Sequence, residues 1–284
     1  MNILFIGSSG ALSLLPFKTL AQSSYNISAV GVYQPIVFDA KIIALENESL
    51  ALAANQAEIP IIDLSQPLDM LINYCETLAI DVILMSCYAK RLPDPLLQLP
   101  MQGCFNMHPS LLPLFRGPEP IFWQMKMAAD IGVSWHRVTS EFDAGDVIAQ
   151  RKVLLDDGAD YQSINSELAS VGSQLMLTML AQIQSNSLTH QPQDSQIASY
   201  YPYPESEDFI IDTGASAQTL YNFMCATAAF KQAYRCQLGN NRYLLDKALD
   251  YENNDSIEDV EMQGNTLYIP CKAGVLVATF TGKI

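Results

Sequence analysis

Short apolar runs alternate with amphipathic segments through residues 1–110. The runs have the length of buried strands, and the segments between them place apolar residues at helical spacing. Predicted strands lie at 2–7, 27–33, 60–63, 82–85 and in the run carrying Asn106 and His108, and predicted helices lie at 11–21, 49–58, 68–78 and 96–99. This alternation predicts an α/β fold with a mostly parallel, Rossmann-like sheet covered by helices.

The pattern of the next part predicts two more strands and a long helix. The strands, at 132–138 and 146–153, flank a loop, and the helix at 161–184 carries apolar residues along one face. Residues 185–199 are polar and contain no Lys or Arg, which is typical of a linker. We therefore predict a first domain at 1–184, followed by a linker at 185–204.

After residue 204 the periodicity changes to that of short strands. One helix is predicted at 217–230. Five short strands with turn residues between them follow at 234–238, 243–249, 260–262, 266–270 and 274–280. This arrangement predicts a small β-rich second domain at 205–284, of the OB-like barrel type.

The charge balance argues against a nucleic-acid partner. Hydrophobic residues make up 49% of the 284 positions and charged residues 16%, as in a globular protein. The formal net charge is −15, and such a surface repels phosphates unless a local basic patch overrides it. The most basic short stretches, Lys90-Arg91 and Arg151-Lys152, carry two charges each.

Neither a membrane segment nor a metal site is indicated. No apolar run reaches the roughly 20 residues that a membrane helix needs, and the start of the chain lacks the basic region of a signal peptide. We therefore expect no membrane association and a cytoplasmic protein. The six cysteines and three histidines are scattered, and without clustered ligands we expect no metal.

Asn106 and His108 are the first candidates for chemistry. At positions i and i+2 of a strand they project from the same face. There an amide and an imidazole can together stabilise a developing oxyanion. The alternative is a strand end whose polar side chains cap a turn, and the pair alone does not decide between the two.

Three further residues are candidates of weaker specificity. Asp143 lies in a Gly-containing turn, where a carboxylate can orient His108 and relay protons, or simply form the turn. Arg116 can contact an anionic substrate or form a surface ion pair. Tyr88 follows a predicted strand, at the position where ligands bind in such sheets. His136 lies inside a predicted strand, and we expect it to be structural.

These residues form motifs with the spacing of a known family. The motifs are Asn106-x-His108-Pro109-Ser110-Leu111-Leu112-Pro113-x-x-Arg116-Gly117, followed by Asp143-Ala144-Gly145-Asp146. Residues 1–183 thereby resemble the folate-dependent formyltransferases, which include methionyl-tRNA formyltransferase, glycinamide ribonucleotide formyltransferase and the amino-sugar N-formyltransferases. Residues 205–284 resemble, more weakly, the barrel-like C-terminal domain of methionyl-tRNA formyltransferase around Ile269-Pro270-Cys271.

The resemblance implies that an acceptor amine attacks the formyl carbon of 10-formyltetrahydrofolate. Asn106 and His108 would stabilise the oxyanion, His108 would also transfer protons, and Asp143 would hold His108. Arg116 and Tyr88 remain candidates for contacts with the substrate. The folate site would be lined by Arg91, Leu92, Pro93, Ser110, Leu111, Leu112 and Pro113.

The acceptor is expected to be the primary amine of a small molecule: an amino sugar, a nucleotide sugar or an amino acid derivative. Residues 33–49 contain one basic residue, Lys41, and residues 205–284 hold six Lys and Arg against eleven Asp and Glu. That charge opposes the phosphate contacts of tRNA. The alternatives are methionyl-tRNA formyltransferase, a hydrolase of 10-formyltetrahydrofolate and a non-catalytic folate-binding module.

Overall fold

A computed structural model describes residues 1–33, 49–254 and 257–283, and the stretch around Lys41 lies outside them. Contacts between residues divide the chain into two units that are interleaved in sequence. Unit 1 is Met1–Pro120, Asp130–Val153 and Asn165–Tyr201, and unit 2 is Ile121–Ala129, Leu154–Ile164 and Pro202–Ile284. The domain limits expected at residues 184 and 205 stay a prediction.

Unit 1 contains a seven-stranded sheet in the order β3-β2-β1-β4-β5-β6-β7. The first five strands in this order are parallel, and β6 and β7 are antiparallel to their neighbours. The mostly parallel α/β sheet predicted from the sequence is therefore confirmed. The strands are β1 Asn2–Ile6, β2 Asn26–Val32, β3 Ile61–Asp63, β4 Val82–Ser86, β5 Gly103–His108, β6 Gly132–Arg137 and β7 Val147–Lys152.

The helices lie within a few residues of their predicted positions, with one exception. Helix α5 begins at Pro120, in a stretch where the sequence predicted no helix. Proline is nevertheless well suited to the first turn of a helix, where no backbone N–H is needed. The helices are α1 Ala11–Ala21, α2 Leu50–Gln56, α3 Leu68–Thr77, α4 Asp94–Gln98, α5 Pro120–Lys126, α6 Tyr161–Gln184 and α7 Ala217–Thr227.

Helix α6 fixes one face of β5 and β6 through a close approach within unit 1. The fully buried Trp135 of β6 donates its indole N–H to the carbonyl of Gly172, at 2.8 Å. A side chain at Gly172 would overlap Met107 of β5. Because strand residues alternate between faces, Met107 and Trp135 pack against the helix while Asn106 and His108 project from the opposite face.

Unit 2 contains a six-stranded sheet in the order β11-β12-β13-β10-β9-β8. All its pairings are antiparallel except that of β8 with β9, which confirms the predicted β-rich second region. Its closure into a barrel stays a prediction. The strands are β8 Ile210–Ile211, β9 Tyr234–Leu238, β10 Asn241–Glu252, β11 Glu261–Gln263, β12 Thr266–Pro270 and β13 Val275–Lys283.

An aromatic cluster forms the core of unit 2 and explains why mid-chain segments belong to it. The ring of Phe122, from α5, lies 5.0 Å from that of Phe209, 5.5 Å from Phe223 and 5.6 Å from Phe230. Such edge-to-face and tilted pairs stabilise a core beyond the area they bury. Tyr161 contributes a further ring 5.6 Å from Phe230.

Two findings bear on the expected absences. Within residues 1–33, 49–254 and 257–283, every helix is too short or too polar to cross a membrane. In the same ranges no group of three or more His, Cys, Asp or Glu side chains is arranged to hold a metal ion.

Gly274, at the turn into β13, offers a test of the unit 2 fold. Its φ is 80°, and a Cβ there would overlap the carbonyl of Glu252. We expect Gly274→Ala to lower the free energy of unfolding by about 1–3 kcal/mol, because a left-handed backbone without glycine is strained. Urea denaturation measures the change.

Gly282→Ala is the matched control for this prediction. Gly282 lies within β13, the strand that Gly274 precedes, and no neighbouring heavy atom comes within 4 Å of a Cβ placed there. We expect a change within about 0.5 kcal/mol, as for other unconstrained surface positions. Equal effects of the two substitutions would contradict the described geometry of the turn.

Candidate active site

Three polar side chains meet on the face of β5 and β6 that lies opposite Met107 and Trp135. Asn106 and His108 point to this face from β5, and the antiparallel register places His136 of β6 directly opposite Asn106. The amide nitrogen of Asn106 lies 3.2 Å from Nε2 of His136. Since an amide nitrogen can only donate, His136 accepts this bond and carries its own proton on Nδ1, which lies 2.9 Å from the carbonyl of Arg137.

His108 is buried, and one of its two ring nitrogens is hydrogen-bonded to the backbone. Its Nε2 lies 2.8 Å from the carbonyl oxygen of Phe115, so this nitrogen carries a proton and donates it. Burial lowers the pKa of His108 below its ordinary value, although Asp143 and the Phe115 carbonyl favour the charged form. The imidazole is therefore neutral at neutral pH, and Nδ1 is free of a proton.

Asp143 faces both histidines. Its Oδ1 lies 3.6 Å from Nδ1 of His108 and 3.5 Å from Nε2 of His136, and its Oδ2 accepts the backbone N–H of Gly117 at 3.0 Å. Burial raises the pKa of this carboxyl, but the overall shift is downward: the charge that His108 can carry is the largest opposing cause, the Gly117 N–H is a further one, and the pKa lies well below its usual range. Asp143 is therefore ionised although its side chain is only 13% exposed.

The three predicted catalytic residues thus lie together, and the arrangement suits acid–base chemistry at a carbonyl. A neutral imidazole beside an ionised carboxylate can accept a proton, because the carboxylate stabilises the imidazolium that forms. The second N–H of the Asn106 amide can donate to an oxyanion. His136 was expected to be structural, and only the register between two strands brings it to Asn106 and Asp143.

The loop after β5 is held by its own hydrogen bonds. Ser110 donates its hydroxyl to the carbonyl of Leu114 at 2.7 Å, and its own carbonyl accepts the hydroxyl of Ser134 at 2.7 Å. Leu112 is buried, and its N–H donates to Ser134 at 3.2 Å. Leu111 and Pro113 are half-buried. The contribution of Ser110, Leu111, Leu112 and Pro113 to a folate site stays a prediction.

The other predicted folate segment follows β4, the parallel neighbour of β5. Leu92 is buried in an apolar cluster against which Tyr88 packs, and burial raises the pKa of Tyr88 to about 12. Arg91 is exposed and pairs with Asp94 at 2.9 Å. Pro93 precedes α4. Both predicted segments therefore follow the carboxyl ends of adjacent strands, where ligands bind in open α/β sheets, and their roles stay predictions.

Arg116 is held by a residue of the segment predicted as a linker. Its Nε and Nη2 donate to Oε1 of Gln193 at 3.1 and 2.7 Å. Gln193 was not among the candidates, because a glutamine within a polar stretch has no distinguishing pattern. A contact of Arg116 with the substrate stays a prediction.

Comparisons with known proteins find relatives of this chain in both sequence and fold. One relative, the methionyl-tRNA formyltransferase of Synechococcus sp. (strain JA-3-3Ab), is 34% identical over 148 residues, 52% of this chain and 46% of that protein. The match thus spans about half the length of that relative.

Two solved structures share the fold over essentially their whole length. WlaRD, a sugar 3N-formyl transferase solved with dTDP and 5-N-formyl-THF, has a TM-score of 0.69 and 16% identity, covering 100% of this chain and 99% of its own. The N-formyltransferase of Helicobacter canadensis, solved with folinic acid and dTDP-3-aminofucose, has a TM-score of 0.70 and 15% identity, covering 99% of both chains.

The family itself follows from a match to the whole first region. Residues 3–180, more than half of the chain, match the family model described as Formyl transferase. The chain therefore belongs to the formyl transferase family, which confirms the family of folate-dependent formyltransferases that the motifs at residues 106–117 and 143–146 predict.

Proposed function

We propose that this formyltransferase moves the formyl group of 10-formyltetrahydrofolate to the primary amine of a small molecule, a nucleotide-linked amino sugar in particular. The observation that carries the proposal is the meeting of Asn106, His108 and Asp143 on one face of the sheet. Its geometry provides a proton acceptor, a charge that stabilises the protonated acceptor and a donor for an oxyanion.

The reaction proceeds in two steps. The acceptor amine attacks the formyl carbon, a C–N bond forms, and the carbonyl oxygen becomes an oxyanion to which Asn106 donates. Nδ1 of His108 takes the proton that the attacking nitrogen loses, and Asp143 stabilises the imidazolium. The bond between the formyl carbon and N10 of the folate then breaks, and His108 returns the proton to N10.

His136 prepares Asn106 for this step. By accepting one N–H of the amide at 3.2 Å, it fixes the side chain and leaves the second N–H for the oxyanion. A donor that is already oriented costs little reorganisation when charge develops. In the proposal, His136 acts on the reaction through Asn106 alone.

The folate would lie against the segments after β4 and β5. Leu92 and Leu112 provide apolar surroundings, and Tyr88 and the backbone of the 110–113 loop provide polar groups. A mostly apolar site with a few polar groups is the usual setting for a flat heterocycle. These features support folate as the donor.

The acceptor is inferred from fold and charge together. Both solved structures above that share the fold at full length are named as sugar or N-formyltransferases, and one was solved with a dTDP-linked amino sugar. The name of the Synechococcus relative favours methionyl-tRNA instead. Against it stand the net charge of −15 and the excess of acidic residues over residues 205–284, because tRNA binding requires phosphate contacts.

Alanine variants test the roles at the site. We expect Asn106→Ala, His108→Ala and Asp143→Ala each to lower kcat by about 100-fold or more, the range of acid–base and oxyanion contributions. Circular dichroism should show an intact fold. His190→Ala is the matched control, since His190 is 59% exposed, and should keep the wild-type rate. Near-normal turnover by His108→Ala would refute the mechanism.

A panel of amines tests the acceptor. With 10-formyltetrahydrofolate as donor, we expect kcat/KM for a dTDP-linked amino sugar to exceed that for charged initiator tRNA by about 100-fold or more, because the acidic surface opposes tRNA. A preference for methionyl-tRNA would reverse the assignment. Formate release that needs no amine would instead identify a hydrolase.

A further inference from the structure

Gln193 is bonded at both ends of its amide to the two loops of the active site. Its nitrogen donates to the carbonyls of Asp143, at 2.8 Å, and Gly145, at 2.6 Å, and its oxygen accepts both bonds from Arg116. Carbonyls can only accept and a guanidinium can only donate. Only an amide of this length therefore satisfies all four bonds at once.

The first pair of bonds holds the turn that presents Asp143. The backbone of Asp143 is left-handed, with φ of 53°, a conformation that an L-residue keeps only when its surroundings impose it. The two carbonyls gripped by Gln193 belong to Asp143 and to Gly145, two residues later. The position of the carboxylate against His108 thus depends on a side chain some 50 residues further along the chain.

The second pair of bonds holds the loop that completes the site from the other side. Arg116 stands between Phe115, whose carbonyl accepts Nε2 of His108, and Gly117, whose N–H donates to Asp143. Backbone bonds of Arg116 to Ser199 and Tyr201 fasten the same loop to the 191–201 segment. Gln193 therefore links the immediate neighbours of both His108 and Asp143.

We infer that Gln193 is a positioning residue for formyl transfer, which keeps the Asp143 carboxylate in register with His108 by tying the 143–145 turn to Arg116. The inference rests on the proposed function for its catalytic consequence. Its structural content, the placement of Asp143 against His108, can be measured in the protein without any substrate.

Histidine titration provides that measurement. The chain has three histidines, so nitrogen-15 spectra give three pairs of imidazole signals, which single His variants assign. The charged and titratable groups facing His108 are Asp143, His136 and Arg116. In Gln193→Met, which keeps the shape and loses the four bonds, Asp143 can move away and Arg116 is released.

We expect the pKa of His108 to fall in Gln193→Met. Asp143 raises this pKa and Arg116 lowers it to a smaller extent, so withdrawal of the carboxylate lowers the pKa by more than movement of the guanidinium away from His108 would raise it. Gln196→Met is the matched control, because Gln196 lies on the same segment with an exposed side chain. Its histidine titrations should match those of the wild type.

Kinetics then separate positioning from binding. We expect Gln193→Met to lower kcat by about 10–100-fold, the size of effect that a small misplacement of catalytic groups produces. The KM for 10-formyltetrahydrofolate should stay near the wild-type value, since Gln193 and Arg116 lie outside both predicted folate segments, 91–93 and 110–113. If Gln193→Met fails to fold, Gln193→Glu, which retains the bonds from Arg116 and loses both donated bonds, takes its place with the same expectation for kcat.

The inference is wrong if a folded variant of Gln193 keeps both the wild-type titration of His108 and the wild-type kcat. A lower melting temperature with these two quantities unchanged would assign Gln193 a purely structural role and would equally refute it. If the wild-type protein transfers formyl groups to no amine, the proposed function fails, and the histidine titration alone still decides whether Gln193 positions Asp143.

Discussion

A carboxylate that is buried and ionised has to be compensated by its surroundings, and the candidate active site is arranged around this requirement. Asp143 is 13% exposed, its Oδ2 accepts the backbone N–H of Gly117, and the imidazoles of His108 and His136 lie 3.6 and 3.5 Å from its Oδ1. A buried charge that lacked such neighbours would be costly. The loop 113–117, the orientation of His108 and the contacts of Gln193 all follow from this one condition.

The two faces of β5 and β6 differ in character: one carries polar side chains of the candidate site, and the other packs against a helix. Asn106 and His136 lie on one face of the two strands. Met107 and Trp135, one residue away in each strand, lie on the other face and pack against α6. The alternation of a strand allows both within six residues. Because α6 holds the backbone of β5 and β6, it also sets the positions from which Asn106 and His136 project.

Periodicity and spacing in the sequence were sufficient to predict the secondary structure of unit 1 and the shared face of two candidate site residues. Strands and helices of unit 1 were predicted closely because their apolar patterns are strong, and Asn106 and His108 because two polar residues at i and i+2 share a face. The meeting of His136 with Asn106 could not be predicted, since it depends on the register between two strands. Gln193 was missed because hydrogen bonds to backbone carbonyls leave no pattern in sequence, and polar residues 185–199 are typical of a linker.

The interleaving of the two units limits how this protein can be rearranged. The chain passes from one unit to the other five times. Phe122, between the motifs at 106–117 and 143–146, and Tyr161, after the second motif, both belong to the aromatic core of unit 2. Because unit 2 is not one contiguous segment, recombination at a single junction cannot exchange the whole of it.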